Sequence, residues 1–154
     1  MTRTAMTRTA VGRMDALQAI EDEVGVLVRR LKRAINERAH AVHRELQGAS
    51  YLLLSWLAEH GPVRASAIVE VFGMDKGSLS RQLQHLEELG LVERTPDPAD
   101  GRATLVSASS EGVRRLAEVD EQRRTSLDEG LGDWSVGELE AFARQLAHYN
   151  RSLD

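Results

Sequence analysis

Apolar residues recur at steps of three and four along most of the chain, the period of a helix buried on one face. The first stripe holds Leu17, Ile20, Val24, Leu27, Leu31, Ile35, Val42 and Leu46. It predicts a helical region over 14–46, free of proline, with a break near Ala39 to His43 where the pattern loosens. Unbroken, such a helix would measure about 50 Å at 1.5 Å per residue. A small domain cannot cover so long a stripe, so the pattern asks for another surface, such as a second subunit. Gln47 to Glu59 follows with Tyr51, Leu52, Leu53, Leu54, Trp56 and Leu57. It reads as a helix buried on most of its circumference and stopped by His60-Gly61-Pro62.

The next pattern is shorter. Ala65 to Phe72 predicts a brief helix with Ile68, Val69, Val71 and Phe72 inward, ended by Gly73. Asp75 is placed to cap a helix over Lys76 to Leu89, whose apolar face is Leu79, Leu83, Leu86 and Leu89. Two helices joined by a short Gly-containing turn are the signature of a helix-turn-helix. Leu91 to Thr95 and Arg102 to Ser107 then read as two strands. The segment between them, Pro96-Asp97-Pro98-Ala99-Asp100-Gly101, is dense in turn residues, which makes a hairpin. Ser109 opens a helix from Ser110 to Gly130 with Val113, Leu116, Val119 and Leu127 inward. Ser135 and Glu138 form a capping-box pair at the start of a last helix, Val136 to Leu153, striped by Leu139, Phe142, Leu146, Tyr149 and Leu153.

Composition narrows the function classes. With 42% hydrophobic but only 4% aromatic residues, the core must be built from Leu, Val, Ile and Ala. The absence of cysteine excludes disulfides, thiolate metal sites and thiol redox switching. No apolar run approaches the roughly 18 residues of a membrane span, and the N-terminus lacks a secretory apolar core. A soluble, cytoplasmic protein with no membrane partner is expected. The net charge of −4 argues against nucleic acid when taken as a sum. Its distribution changes that picture. Arg29, Arg30, Lys32, Arg33, Arg38 and Arg44 stand against only Glu37 and Glu45 over 28–45. Over 63–107 acids outnumber bases, so everything depends on where the charges point. On the Lys76 to Leu89 helix, the face opposite the leucines carries Lys76, Ser78, Ser80, Arg81, Gln84 and His85, while Glu87 and Glu88 lie at the far end. A helix entering the major groove needs such a segregation of donors from acids.

The order helix, helix, recognition-type helix, hairpin, with further helices on both sides, resembles the MarR family of winged helix-turn-helix regulators. The residues that carry the resemblance are Ile68-Val69-Glu70, Gly73-Met74, Ser78-Leu79-Ser80-Arg81 and Leu86-Glu87-Glu88-Leu89-Gly90-Leu91-Val92-Glu93-Arg94. Asp97-Pro98-Ala99-Asp100-Gly101-Arg102 and Ser109-Ser110-Glu111-Gly112 complete it. The Asp-x-x-Asp-x-Arg hairpin tip is the most specific of these; Gly101 departs from the Arg usual there, and Ser109 from the usual Thr. The resemblance implies a mainly α fold with a small β-hairpin wing, a winged helix-turn-helix with N- and C-terminal dimerisation helices. It divides the chain into a flexible N-terminal tail at 1–13, which includes the repeated MTRTA, and an N-terminal dimerisation region at 14–46. The DNA-binding domain at 47–108 and C-terminal dimerisation helices at 109–154 follow.

On that resemblance the chain is a homodimeric transcriptional regulator of double-stranded DNA, a ligand-responsive repressor at a pseudo-palindromic operator. Arg81 and Gln84 suit base edges, because both bond bidentately to purines. Lys76 suits a phosphate at the helix N-terminus, and Ser78, Ser80 and His85 suit weaker contacts. Arg94 is left between phosphate and a local pair with Asp97, and Arg64 is left between phosphate and solvent. Arg102 resembles the family's minor-groove arginine, with Asp100 its positioning partner through a salt bridge. The family's small lipophilic or phenolic effectors point to His43, Tyr51, Trp56 and Leu57 as pocket lining, against a plain core role for the same residues. His40 and His43 share a helical face, yet no third ligand follows by spacing, so no metal and no cofactor are expected. No nucleophile–base pair or phosphate loop emerges, and no catalysis is expected. The alternatives are a winged-helix protein-interaction module that binds no DNA, and a metal-dependent regulator.

Overall fold

The computed structural model describes the backbone of residues 2–153 and the side chains of residues 12–153. The chain divides into two compact units, residues 1–116 and 117–154. The first holds α1 (Thr2–Val42), α2 (Gly48–His60), β1 (Val63–Arg64), α3 (Ala65–Phe72), α4 (Lys76–Glu88), β2 (Val92–Asp97) and β3 (Asp100–Ala108), together with the start of α5 (Ser110–Gly130). The second holds the rest of α5 and α6 (Val136–Arg151). The tail expected over 1–13, with its repeated MTRTA, falls mostly on residues 1–11, whose side chains lie outside the described ones. Gly12 and Arg13, expected in that tail, are instead within α1.

The first long helix breaks where its stripe loosens. α1 ends at Val42, and residues 43–47 turn the chain back, with the Leu46 N–H donating to the His43 carbonyl at 2.8 Å. Two side chains hold this corner. The Asn36 Oδ1 accepts from the Gly48 N–H at 3.2 Å, and the Arg115 guanidinium donates to the Val42 carbonyl at 3.0 Å. The second bond satisfies one of the carbonyls that a helix end leaves open. A Cβ on Gly48 would lie 2.6 Å from Asn36 Oδ1, so glycine permits the close start of α2.

The core of the first unit is aliphatic. Val42, Leu46, Leu53, Leu54, Leu57, Ile68, Leu79, Leu83, Leu86, Leu91 and Val106 are all but sealed from solvent. α3 ends on Gly73 in the left-handed region, at φ 60°. α4 ends in the same way on Gly90, at φ 72°. There the Leu91 N–H bonds the Leu86 carbonyl and the Gly90 N–H bonds the Glu87 carbonyl, both at 2.9 Å, a Schellman motif with its two leucines buried. The sheet is antiparallel with strand order β1-β3-β2. β1 is a finding that no periodicity announced, since two residues carry no period. β2 and β3 also run further toward the tip than the turn composition suggested, leaving only Pro98 and Ala99 between them.

α5 is pinned to the end of α4. Ser109 Oγ donates to the Gly90 carbonyl at 2.6 Å and accepts from the Gly112 N–H at 3.0 Å, while the Ser109 N–H bonds the Leu91 carbonyl at 2.9 Å. Gly112 lies so close to that carbonyl that any Cβ would overlap Leu91 O. Glu111 receives both Arg114 and Arg115, and these two guanidinium bonds hold its carboxyl down from an ordinary 4.5 to about 2.

Several apolar stripe positions lie open. On α1, Met14, Leu17, Ile20, Leu27 and Leu31 are exposed, as are Val136, Leu139, Phe142, Leu146 and Leu153 on and just beyond α6. Val113 and Leu127, expected inward on α5, are also exposed, whereas Leu116 and Val119 are buried as expected. Helix period locates a stripe but does not say what covers it.

Two outcomes follow. Gly112→Ala should destabilise the protein by about 1–3 kcal/mol, the usual scale of overpacking, read from urea denaturation. For Glu111, a folded pKa below the unfolded value means stability that is present above about pH 4.5 and lost as pH falls toward 2. Acid unfolding of Glu111→Gln should therefore have a shallower limb between those values than the wild type; parallel limbs would remove Glu111 from the account.

Candidate nucleic-acid interface

α4 is oriented by burial of Leu79, Leu83 and Leu86. With that face inward, Lys76, Ser80, Arg81 and Gln84 are exposed and Ser78 and His85 half-buried. Asp75 caps the helix, its Oδ1 accepting from the Ser78 N–H at 2.9 Å. Hydrogen bonds from Ser78, with Arg81 adding a weaker attraction, hold the Asp75 carboxyl below the usual range. The helix start therefore stays capped by an ionised carboxylate at neutral pH. Arg81 Nη2 donates to Ser78 Oγ at 3.2 Å, which keeps the guanidinium over the N-terminal half of the helix. Gln84 Nε2 donates to Glu88 Oε1 at 3.0 Å. The His85 ring is less free than its helix position suggested, with Nε2 3.4 Å from the Glu45 carbonyl.

The hairpin tip has a defined internal geometry. Pro96 lies opposite Thr104 but Asp97 lies opposite Asp100, so Gly101, Arg102 and Ala103 have no partner across the ladder. Arg102 sits in this bulge and is exposed. Two aspartates organise it by the same local device: Asp97 Oδ1 accepts from the Ala99 N–H at 2.8 Å, and Asp100 Oδ1 from the Arg102 N–H at 3.1 Å. Asp100 thus positions Arg102 through the backbone, and no salt bridge joins their side chains among the described residues.

The two arginines left open in the sequence both have partners within the chain. Arg94 pairs with Glu87 at 2.9 Å, not with Asp97. Asp97 is buried and takes Arg64, whose Nε donates to Oδ2 at 2.7 Å. Lys76, Arg81 and Arg102 form no salt bridge among the described residues, so their charge is directed outward. Lys76 and Ser80 from α4 meet Arg94 from β2 around an open cleft of about 280 Å³, floored by Val69, Leu79 and Leu83 and flanked by Ala65 and Ser66.

Residues 44–103 match the MarR family, the span from the end of α1 to the hairpin tip. An uncharacterized HTH-type transcriptional regulator of Bacillus subtilis, YxaD, is 34% identical over 138 residues, covering 89% of this chain and 94% of the relative. This chain belongs to the MarR family. The HTH-type transcriptional repressor NicR of Pseudomonas putida is 22% identical and is covered over 77% of each chain. Among solved structures, a MarR family transcription regulator matches with a TM-score of 0.80 at 18% identity over 93% of both chains. Apo wild-type MarR from Escherichia coli matches at 0.67 and 21% identity, over 84% of this chain and 94% of that one. These structural likenesses are likenesses of fold. The fold is thereby that of a winged helix-turn-helix DNA-binding transcriptional regulator. Among the described residues, no helix is long and apolar enough to cross a membrane.

Within this MarR-family fold, the four residues considered for an effector pocket differ in exposure and in partners. Leu57 is sealed in the core and Tyr51 nearly so. Trp56 stacks on His60, with centroids 4.6 Å apart, and meets Phe72 edge-on at 5.8 Å. His43 Nδ1 accepts from the Glu45 N–H at 3.2 Å. Among the described residues, no group of three or more His, Asp or Glu side chains is gathered as a metal would need. Sequence reasoning missed the Arg64–Asp97 pair. Its only trace was an aspartate at the start of a turn, a position that also satisfies itself through the backbone.

Proposed function

We propose that this MarR-family regulator is a homodimer that represses transcription from a pseudo-palindromic operator and is released by a small lipophilic or phenolic effector. The observation that carries the DNA-contact part is the outward direction of Lys76, Arg81 and Arg102, three cations without salt bridges on a helix and a hairpin tip of one compact unit. Arg81 and Gln84 read base edges in the major groove, Lys76 holds phosphate, Ser78, Ser80 and His85 add weaker contacts, and Arg102 enters the minor groove. Arg94, already paired with Glu87, reaches phosphate only by exchanging that partner. Dimerisation is supported by the open apolar stripes of α1 and α6, since exposed contiguous apolar surface marks an interaction site. In a dimer the two α4 helices stand about 34–36 Å apart, one turn of DNA. Repression rests on similarity to the repressor NicR, and effector response on the family resemblance, with His43, Tyr51, Trp56 and Leu57 as the first residues to vary.

Gel retardation with DNA selected from a random pool tests the reading. Arg81→Ala and Arg102→Ala should each weaken binding by roughly 10- to 100-fold, the scale of one lost base or groove contact. Unchanged retention in both would favour the protein-interaction alternative. Sedimentation should give a mass of twice 17.1 kDa; Leu17→Glu combined with Leu27→Glu should shift it toward the monomer, and a wild-type monomer would end the two-fold account.

A further inference from the structure

We propose that Arg64 and Asp97 form a latch that positions the wing, holding the hairpin tip, and with it Arg102, in the conformation that engages DNA. The DNA part of this inference rests on the function proposed above; the latch itself does not.

The sheet order makes the pair unusual in reach. Arg64 is on β1 and Asp97 on β2, and β3 lies between them. Across two strand spacings of about 4.8 Å each, the long Arg64 side chain spans the middle strand to reach the far one. It therefore ties together two strands that share no backbone hydrogen bond. Its anchor is rigid, because β1 leads directly into α3 and Arg64 is itself the residue before the first turn of that helix. The far end of the tie is the point where the ladder loses register, between Pro96 and Asp97. A hairpin bends most easily where pairing lapses, so the latch grips the wing at its weakest joint.

Asp97 is suited to this role and to no contact with DNA. It is 7% exposed, whereas Arg64 is about half exposed. One carboxylate oxygen accepts from Ala99 and the other from Arg64, so both are used inside the protein. The Ala99 N–H, then the Arg64 guanidinium, hold its carboxyl below the usual range, and it remains ionised at neutral pH. From Asp97 the order passes along the tip: Ala99 is fixed by Asp97, and Asp100, directly opposite Asp97, fixes the Arg102 N–H. Arg64 thus acts on DNA through Arg102, without touching it.

The rival role for Arg64 is a direct phosphate contact, and Asp97→Asn separates the two. Freeing Arg64 and removing an acid should strengthen binding if Arg64 held phosphate, and should weaken it if the pair is a latch. Arg64→Gln, Asp97→Asn and the double variant should each bind selected DNA roughly tenfold more weakly, the scale of one charge-assisted hydrogen bond, with the double no worse than either single. The slope of log affinity against log salt should stay at the wild-type value in Arg64→Gln; a slope shallower by about one identifies a phosphate contact and overturns the proposal. Amide exchange supplies a readout free of DNA. In both single variants the Ala99 and Arg102 amides should exchange faster, while those of Leu83 and Leu86 keep their protection and show that the fold is intact. Unchanged exchange at the tip would overturn the latch, as would faster exchange with undiminished DNA binding. A wild type that retains no DNA would sink the regulator reading instead, and the exchange comparison would still decide the latch.

Discussion

Burial of one leucine face decides what α4 presents to the outside. Leu79, Leu83 and Leu86 are almost wholly removed from water, and the Leu86–Leu91 contact closes the helix at Gly90. Truncating any one of these leucines would cost about 2–5 kcal/mol, a large part of the roughly 5–15 kcal/mol that holds a domain together. The helix therefore cannot rotate to offer another face. Lys76, Ser80, Arg81 and Gln84 point outward because the leucines must point inward, and the candidate interface is a consequence of packing before it is one of charge.

The net −4 is distributed unevenly over the residues of the candidate interface. Most acids of the segment from β1 to β3 have internal work: Asp75 caps α4, Glu87 holds Arg94, Glu88 accepts from Gln84, Asp97 holds Arg64 and Asp100 orders the tip. Only Glu87 and Asp97 are in ion pairs, whose dipolar field falls off faster than that of a single charge; Asp75, Glu88 and Asp100 accept from uncharged donors and keep their full charge. The cations without such partners are Lys76, Arg81 and Arg102, on the helix face and the tip. Any attraction they exert on phosphates should weaken steeply with salt.

The same economy of contacts shows at the junction of α4 with α5. Ser109 serves two carbonyl or amide partners with one hydroxyl, and Gly112 lets the new helix sit against Leu91 without a Cβ. Arg115 joins Glu111 to the carbonyl end of α1. Three helices are thereby fixed at their ends, where backbone groups are otherwise unsatisfied. Their lengths remain available to present apolar stripes.

Much was legible in the residues alone. Periods of three and four located α2, α3, α4, α5 and α6 closely, because a buried face and a capping residue are both local facts. Asp75, Ser135 and Gly73 act where their types suggest. The polar face of α4 was legible for the same reason: in a helix, inward and outward are set by angle. What the tertiary structure decided were the pairings between residues far apart in sequence. Arg64 finding Asp97 across a third strand, Arg94 choosing Glu87 over Asp97, His85 turning to Glu45, and Val113 and Leu127 lying open all depend on where separate elements come to rest. Periodicity carries angles and lengths along one segment; it holds no information about distance between segments, and an ion pair is a statement about distance.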